Sequence, residues 1–264
     1  MLLLSASLAL AQSSAEPIII AHRGGAELGP ENTQAAFALS AEMGVGFELD
    51  VTLASTGEVI VLHDDSVDRT TNGTGLASEL SLQEIQALDA GSWYGADFAG
   101  EPIPTLGQVL DRFGGQVLID IEIKTHPMRA ELAAGVVAEV QRLGLQDQVV
   151  VTSFDPLMLE QVKLLDASIP RGQLTATFKD AELNPVTKML LKRMWLNGKS
   201  EPQVIAVEHT RVTKRFVRKQ NRKGCQVWAW TVNDPEEMKR LLELGVTGLI
   251  TDRPDLGLEV LEQR

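Results

Sequence analysis

The sequence contains a single cysteine in 264 residues, which excludes a fold held together by intramolecular disulfides. It also lacks an excess of positive charge, because 24 lysines and arginines face 36 acidic residues and the formal net charge is −12. Such a chain is a poor candidate for nucleic-acid binding, which depends on a basic surface that displaces counterions. No segment approaches the roughly 20 apolar residues of a membrane-spanning helix. With 44% hydrophobic residues, the composition indicates a globular protein, long enough for one α/β barrel or two small domains.

The N-terminus resembles a signal peptide in part. Residues Leu2 to Ala11 are apolar, and Ala9-Leu10-Ala11 before Gln12 fits a cleavage site flanked by small residues. No lysine or arginine precedes the apolar stretch, so only the α-amino group supplies the expected positive charge. We expect residues 1–16 to be a signal peptide or leader and the enzyme to be periplasmic or secreted. A cytoplasmic enzyme with an apolar leader is the alternative.

Short apolar runs alternate with helical patterns along the rest of the chain, which is typical of βα units around a parallel sheet. A TIM-type (β/α)8 barrel has eight strands, one fewer than the sequence predicts. A turn signal at Ser55-Thr56-Gly57 separates two predicted strands with no helix between them. We therefore expect an α/β fold, a TIM-type barrel, in which one strand is accessory or one helix is missing. The predicted strands are 18–21, 46–50, 59–62, 117–122, 148–152, 171–174, 204–207, 226–230 and 248–250, and the predicted helices are 33–43, 105–113, 128–143, 156–167, 212–222, 235–243 and 255–262.

Two segments interrupt the alternation. Residues 64–104 carry glycine and aspartate turns and follow His63 directly, so we expect a small insertion subdomain on the active-site face. Residues 175–202 form a second excursion, in which the stretch 186–196 is basic and amphipathic. Such a helix could contact anionic membrane lipids or cover a lysophospholipid substrate; a surface helix packed on the barrel is the alternative.

Polar side chains end three of the predicted strands: His22-Arg23 the first, Glu48-Leu49-Asp50 the second and His63-Asp64 the third. A β-branched run that stops at a polar residue is how a parallel strand presents a catalytic group at its carboxyl end. Acids at positions i and i+2 of a strand share a face and can hold one hard cation, and histidines transfer protons near neutral pH. The pattern predicts an enzyme that cleaves phosphodiesters.

A series of short motifs extends this pattern over almost the whole chain from residue 17 onward. They are Ala21-His22-Arg23-Gly24-Gly25, Pro30-Glu31-Asn32-Thr33, Phe47-Glu48-Leu49-Asp50-Val51, Val61-Leu62-His63-Asp64, Arg69-Thr70-Thr71, Ile121-Glu122-Ile123-Lys124, Trp230-Thr231-Val232-Asn233 and Gly248-Leu249-Ile250-Thr251-Asp252-Arg253-Pro254. In this order they resemble the signature of the glycerophosphodiester phosphodiesterase family, of the phosphatidylinositol-phospholipase-C-like superfamily.

The resemblance implies a TIM-type barrel with an insertion after the second histidine, and one divalent cation, Ca²⁺ or Mg²⁺. The metal ligands would be the acids that match the family's, namely Glu48, Asp50 and Glu122. Thr247 departs from the family, which often carries an acid at this position, and the excursion at 175–202 is a second departure. Neither departure touches the catalytic set, so they put substrate preference in doubt rather than activity.

Cleavage of an anionic phosphodiester requires charge neutralisation, an activated nucleophile and a protonated leaving oxygen. We expect His22 to accept a proton from the nucleophile and His63 to protonate the departing alcohol. The nucleophile could be water or the adjacent glycerol hydroxyl, acting through a cyclic phosphate. For Glu48 and Asp50, the alternative to metal binding is a structural salt bridge to the basic residues Arg23 or Lys124.

The remaining expectations concern substrate contacts. Arg23 and Lys124 should bind phosphate oxygens, and Trp230 should line the pocket mouth, with a plain core position as the alternative for the indole. His126 and His209 are interpreted as loop histidines, and Asp120 as a deeper structural acid.

The sequence thus predicts hydrolysis of glycerophosphodiesters to sn-glycerol 3-phosphate and an alcohol. A phospholipase-D-like hydrolase of lysophospholipids is one alternative, and a non-catalytic phosphodiester-binding protein is another. No nucleic-acid partner is expected, and the sequence leaves the oligomeric state open.

Overall fold

The computed structural model describes residues 16–124, 130–178, 187–189, 194 and 197–264. Eight parallel strands form a closed barrel, because β1 pairs with β2 on one side and with the last strand, β9, on the other. The prediction of a TIM-type barrel is confirmed. The strands are β1 (Ile18–Ala21), β2 (Gly46–Leu53), β3 (Val59–Val61), β4 (Ile119–Ile123), β5 (Val149–Ser153), β6 (Arg171–Thr175), β7 (Val204–Glu208), β8 (Gln226–Trp230) and β9 (Gly248–Thr251).

Helices follow most strands and cover the outside of the barrel. Side-chain caps fix several of their first turns: the Thr33 hydroxyl accepts from the Ala36 N–H, and the Asp234 carboxylate accepts from the Glu237 N–H. None of the helices in the described ranges is long and apolar enough to cross a membrane. They are α1 (Gln34–Glu42), α2 (Leu82–Gln86), α3 (Leu106–Phe113), α4 (Ala130–Leu143), α5 (Pro156–Leu165), α6 (Lys214–Asn221), α7 (Pro235–Glu243) and α8 (Pro254–Glu262).

The extra predicted strand is β3, which lies outside the barrel. It pairs antiparallel with the end of β2, where Val51 faces Val61 and Leu53 faces Val59. The turn between them contains Gly57 at φ 99°, a left-handed conformation that favours glycine. The accessory strand and the missing helix are therefore one feature, a β2–β3 hairpin, and β2 extends past its predicted end because β3 pairs with it.

Alternating residues of the strands build two cores. The outward-facing set packs against the helices. A smaller set fills the inside of the barrel and consists of Ile20, Val150, Leu174, Val204, Ala206, Trp228 and Ile250. The Trp228 ring occupies much of the interior, and a Cβ atom on Gly248 would lie 2.5 Å from it. The neighbouring strand therefore needs a glycine at this point. A filled lower interior leaves room for a site only at the carboxyl ends of the strands.

Residues 64–104 follow β3 and pack around a separate small core whose members include Leu62, Val67, Ile85 and Ile103. The Glu101 carboxylate accepts from the Ala35 N–H and so joins this segment to the start of α1. The predicted leader at 1–16 lies outside the described residues apart from Glu16, and so does most of the basic stretch 186–196.

Candidate active site

Four carboxylates lie side by side on two neighbouring strands of the barrel. Glu48 and Asp50 on β2 pair in register with Asp120 and Glu122 on β4. Because side chains alternate along a strand, the two acids of each strand project to the same side, and the register brings the two pairs together. Three of the four, Glu48, Asp50 and Glu122, offer oxygens that all lie within 4.8 Å of one another.

This oxygen cluster fits a hard divalent cation. Glu48 is only 3% exposed, and its Oε1 atom is buried without a hydrogen-bond partner. Burial, followed by the charges of Asp50 and Glu122, raises the pKa of Glu48 well above its ordinary value. Closely packed carboxylates with an unpaired buried oxygen require a positive charge, and Ca²⁺ and Mg²⁺ prefer such oxygen donors.

The salt bridge considered as the alternative is present for Asp50 but not for Glu48, and Glu122 also pairs with Lys124. The Lys124 Nζ atom lies 2.9 Å from Asp50 Oδ1 and 3.1 Å from Glu122 Oε1, and the Arg23 Nε atom lies 3.4 Å from Asp50 Oδ2. Burial alone would raise the pKa of Asp50, but Lys124 and Arg23 outweigh it and hold that pKa below its ordinary value. Lys124 and Arg23 therefore contact carboxylate oxygens that a metal ion could also use, whereas Glu48 Oε1 has no cation partner among the described residues.

Asp120 is the fourth carboxylate and lies one step deeper in the barrel. Its Oδ1 atom accepts from the Thr152 hydroxyl at 2.8 Å, and its Oδ2 atom has no partner. Burial is the main reason why the pKa of Asp120 rises to about 8, and the neighbouring acids add to the shift. Asp120 is thus a buried acid at the floor of the site, and its burial favours the neutral form.

His22 follows β1 and is held by an aspartate from the last strand. Its Nδ1 atom lies 2.6 Å from Asp252 Oδ1, and Asn233 donates to the other oxygen of Asp252 at 2.7 Å. The Asn233 side-chain oxygen Oδ1 in turn accepts from the Asp252 backbone N–H. With Nδ1 engaged, Nε2 is the ring nitrogen available for proton transfer.

His63 has a matching arrangement on the other side of the site. Its Nδ1 atom lies 2.6 Å from Asp64 Oδ1, and Arg69 donates from Nε to the second oxygen of Asp64 at 2.6 Å. Arg69 also donates two hydrogen bonds to Glu31, at 2.7 and 2.8 Å. Burial is the largest influence on His63 and lowers its pKa.

The backbone after β1 adopts a left-handed turn that positions Arg23. Its φ angle is 53°, and Gly24 and Gly25 continue with φ angles of 84° and 89°. The strained turn aims the Arg23 N–H at Glu48 Oε2, 2.9 Å away, while the guanidinium donates to Glu31 at 2.8 Å. A Cβ atom on Gly24 would lie 2.9 Å from Phe37, so the motif requires glycine there.

These residues line one cavity of about 130 Å³ at the carboxyl ends of the strands. Its polar wall includes His22, Arg23, Glu48, His63, Glu122 and Lys124, with Asp120 and Thr152 below them, and its apolar wall consists of Phe154, Leu174, Trp230 and Ile250. A larger surface depression lies beside the β2–β3 turn, lined by residues such as Ser81 and Gln86, and gathers no cluster of catalytic groups.

Trp230 lies in the apolar wall of the cavity, while Trp228 of the same strand fills the barrel interior. Phe154 packs edge-on against Trp230, with ring centroids 5.6 Å apart, and Phe178 packs against Phe154 at 5.9 Å. The cavity therefore offers an aromatic surface opposite its charged groups.

Several residues of the site were given no role in the sequence prediction, in particular Asp252, Asn233, Arg69 and Glu31. The position of Asp64 directly after His63 is a sequence signal for their contact. Asp252 is 230 positions from His22, and the two residues come into contact only because the barrel closes. His209 lies 2.8 Å from Glu237, away from the cavity lining, and His126 lies outside the described residues.

Comparisons with known proteins point to one family. The model of the glycerophosphoryl diester phosphodiesterase family matches residues 22–256. A putative glycerophosphodiester phosphodiesterase of Bacillus subtilis is 37% identical over 238 residues, 90% of this chain and 95% of the relative. A glycerophosphodiester phosphodiesterase of Caldanaerobacter subterraneus is 34% identical over 249 residues, 93% of this chain and 98% of the relative.

Solved structures agree with this result. The structure of an Oleispira antarctica phosphodiesterase in complex with the product sn-glycerol-3-phosphate is 28% identical, covers 94% of this chain and 97% of its own, and has a TM-score of 0.82. A putative glycerophosphoryl diester phosphodiesterase from Silicibacter pomeroyi is 26% identical, covers 98% of both chains and has a TM-score of 0.83. The resemblance seen in the sequence motifs is confirmed.

Proposed function

The chain belongs to the glycerophosphoryl diester phosphodiesterase family, and from this premise we propose that it hydrolyses glycerophosphodiesters to sn-glycerol 3-phosphate and an alcohol, using a divalent cation and two histidines. The family assigns the chain to the phosphoric diester hydrolases. The observation that carries the detailed proposal is the cavity in which two aspartate-held histidines face a cluster of three carboxylates.

The three carboxylates Glu48, Asp50 and Glu122 would hold Ca²⁺ or Mg²⁺. Bound there, such a cation would neutralise charge on the phosphate oxygens and make the phosphorus atom a better electrophile. Lys124 and Arg23 then supply positive charge from the protein itself: Arg23 contacts phosphate oxygens through its planar fork and Lys124 as a point charge.

His22 is the proposed general base. Asp252 accepts a hydrogen bond from the Nδ1–H group of His22, which leaves Nε2 without a proton. Nε2 can therefore receive the proton of the attacking hydroxyl. The negative charge of Asp252 then stabilises the imidazolium that forms, as in other aspartate–histidine pairs. Asn233 keeps Asp252 in place by contacting both its carboxylate and its backbone N–H.

His63 is the proposed general acid, which donates its proton to the departing alcohol oxygen. Asp64 favours the protonated ring, and the burial that lowers the pKa of His63 makes the proton easier to release. The attacking hydroxyl is that of water or of the neighbouring glycerol carbon; phosphorus NMR of the reaction mixture distinguishes the two, because only the second route produces a cyclic phosphate.

The apolar wall supports a second candidate substrate. Phe154, Leu174 and Trp230 form a surface that fits the hydrocarbon part of a lysophospholipid better than a polar glycerol group. The alternative activity is therefore phospholipase-D-like cleavage of lysophospholipids, with the same acid–base groups. A comparison of kcat/KM for glycerophosphocholine and lysophosphatidylcholine decides between the two.

The histidine roles are tested by replacing His22, His63 and, as a matched control, His209 with alanine. His209 pairs with Glu237 in the same manner but outside the cavity. We expect each of the first two variants to lose about 10²–10⁴-fold in kcat, the usual contribution of a positioned acid or base. The His209→Ala variant should keep wild-type turnover. Near-wild-type rates in His22→Ala or His63→Ala would contradict the assignment, and no turnover by the wild type would favour the phosphodiester-binding alternative.

A further inference from the structure

The outer face of α6 carries a row of exposed positive charges. Six cations lie on this helix and the turn that follows it, and every one of them is exposed: Lys214, Arg215, Arg218, Lys219, Arg222 and Lys223. We name this row the basic stripe. The opposite face of the helix is buried through Val217 and Gln220, so the fold itself points all six cations outward.

The basic stripe differs from the other positive charges in the described part of the chain. Elsewhere, most exposed cations have acidic partners, as in the pairs Arg142–Asp111, Lys199–Glu160 and Arg240–Glu237, while Arg112 and Arg264 are isolated single charges without an ion pair among the described residues. No ion pair of a stripe residue is found among the described residues. The sequence also contains no acidic residue between Glu208 and Asp234.

This concentration of charge is unfavourable for the isolated helix. Cations four residues apart, such as Lys214 and Arg218 or Arg215 and Lys219, repel each other on one helix face. The rest of the chain is strongly acidic, since the whole protein has a net charge of −12 in spite of the stripe. A row of unneutralised cations on such a protein fits an anionic partner that neutralises it.

We propose that the basic stripe binds the protein to the surface of an anionic phospholipid bilayer. A helix flank is convex, and six cations spread over about 14 Å can rest on a plane of headgroups. Binding of a single-stranded nucleic acid would require aromatic platforms, yet the aromatic side chain of this helix, Phe216, is packed against the core. The next helix around the barrel, α7, exposes Glu236 and Glu243, so it offers no second basic wall for a polymer.

The proposed contact leaves the active site open. The helix α6 packs against β8 on the outside of the barrel, and the cavity lies at the carboxyl ends of the strands. When α6 lies on the membrane, the opening of the cavity therefore faces sideways, parallel to the membrane surface, and is not covered by lipid. The contact does not depend on the proposed reaction, and it involves a different segment from the stretch 186–196.

The test is co-sedimentation of the full-length protein with vesicles of phosphatidylglycerol and phosphatidylcholine in equal parts, and with pure phosphatidylcholine vesicles, at low and at physiological salt. The stripe variant is Arg215→Gln/Lys219→Gln/Arg222→Gln. The control variant is Lys199→Gln/Lys239→Gln/Arg264→Gln, which removes the same charge elsewhere. Glutamine has a similar helix propensity to lysine and arginine, so α6 should fold in both proteins.

We expect the wild type and the control variant to sediment with the anionic vesicles only, less so as salt rises. Neutralising a cation near the membrane weakens partitioning about fivefold, so the stripe variant should bind about 100-fold more weakly. Circular dichroism spectra and thermal unfolding curves of all three proteins show that they are folded, whether or not they turn over a phosphodiester. Absence of vesicle binding by the wild type, or equal binding by the two variants, would overturn the proposal. Binding of a fluorescent oligonucleotide at the same salt, without vesicle binding, would overturn it in favour of a nucleic-acid partner.

Discussion

Replacing Asp252 with asparagine should lower kcat while leaving the fold and substrate binding almost unchanged. In the structure, one oxygen of Asp252 lies 2.6 Å from His22 Nδ1 and the other accepts from Asn233 at 2.7 Å. An asparagine at position 252 has only one oxygen. If that oxygen faces His22, its NH₂ group meets the NH₂ group of Asn233; if it faces Asn233, an N–H points at His22 Nδ1 and selects the wrong tautomer.

The expected loss follows from the same contacts. A hydrogen bond to a charged group contributes about 1.5–3 kcal/mol, which corresponds to roughly 10–150-fold in rate when it forms only as the imidazolium develops. The forced tautomer adds to this, so we expect kcat to fall by about 100-fold or more. KM should change little, because Asp252 does not line the cavity that holds substrate.

Steady-state kinetics with glycerophosphocholine measure this effect. Asp255→Asn is the matched control, since Asp255 carries the same charge nearby but pairs with Arg253 on the surface. In a His22→Ala background, Asp252→Asn should have almost no further effect, because a positioning residue has nothing left to position. Unchanged kcat in Asp252→Asn, or a full additional loss in the double variant, would refute the reasoning.

Three further predictions concern contacts away from the metal ligands. Arg69→Met should lower kcat about tenfold, because it removes a partly exposed charged hydrogen bond to Asp64; an unchanged kcat would argue against this positioning role. The pKa of Asp64 in the fold is about 2, below the ordinary 3.8, so its contribution to stability is present above pH 3.8 and is lost as the pH falls toward 2. The free energy of unfolding of Asp64→Asn should therefore fall less steeply than that of the wild type as the pH drops from 3.8 toward 2. Identical slopes for the two proteins would contradict this prediction. Gly248→Ala should lower the free energy of unfolding by about 1–3 kcal/mol through its clash with Trp228, whereas Gly198→Ala, in open space, should stay within about 0.5 kcal/mol, as urea titration can show.

The barrel could be predicted from the sequence because each of its βα units carries its own signals. Apolar runs such as Val149–Ser153 are buried on both faces, and the cap at Asp234 with Pro235 marks a helix start locally. The length of β2 could not be predicted in this way. The last three residues of β2, Val51 to Leu53, pair with β3. This pairing joins two segments and leaves no local signal in the sequence of β2.

The candidate site likewise contains residues that local sequence signals predict and residues that only contacts between distant segments bring together. Strand parity and position sufficed to indicate Glu48 and Asp50 as a pair, and the register of β2 with β4 brings Glu122 beside them. The partners of the histidines depend on closure of the barrel and on the packing of the segment 64–104. For that reason Asp252 and Arg69 become visible as positioning residues only in three dimensions.

The most direct test of the account is the release of sn-glycerol 3-phosphate from glycerophosphocholine, followed with a coupled glycerol-3-phosphate dehydrogenase. The assay is run on untreated protein, after EDTA, and after Ca²⁺ or Mg²⁺ is restored, with Glu48→Gln as the variant that weakens the carboxylate cluster. We predict that EDTA abolishes turnover, that one of the two cations restores it, and that Glu48→Gln requires more of that cation. Turnover that survives EDTA, or a Glu48→Gln variant with unchanged cation dependence, would contradict a metal held by Glu48, Asp50 and Glu122.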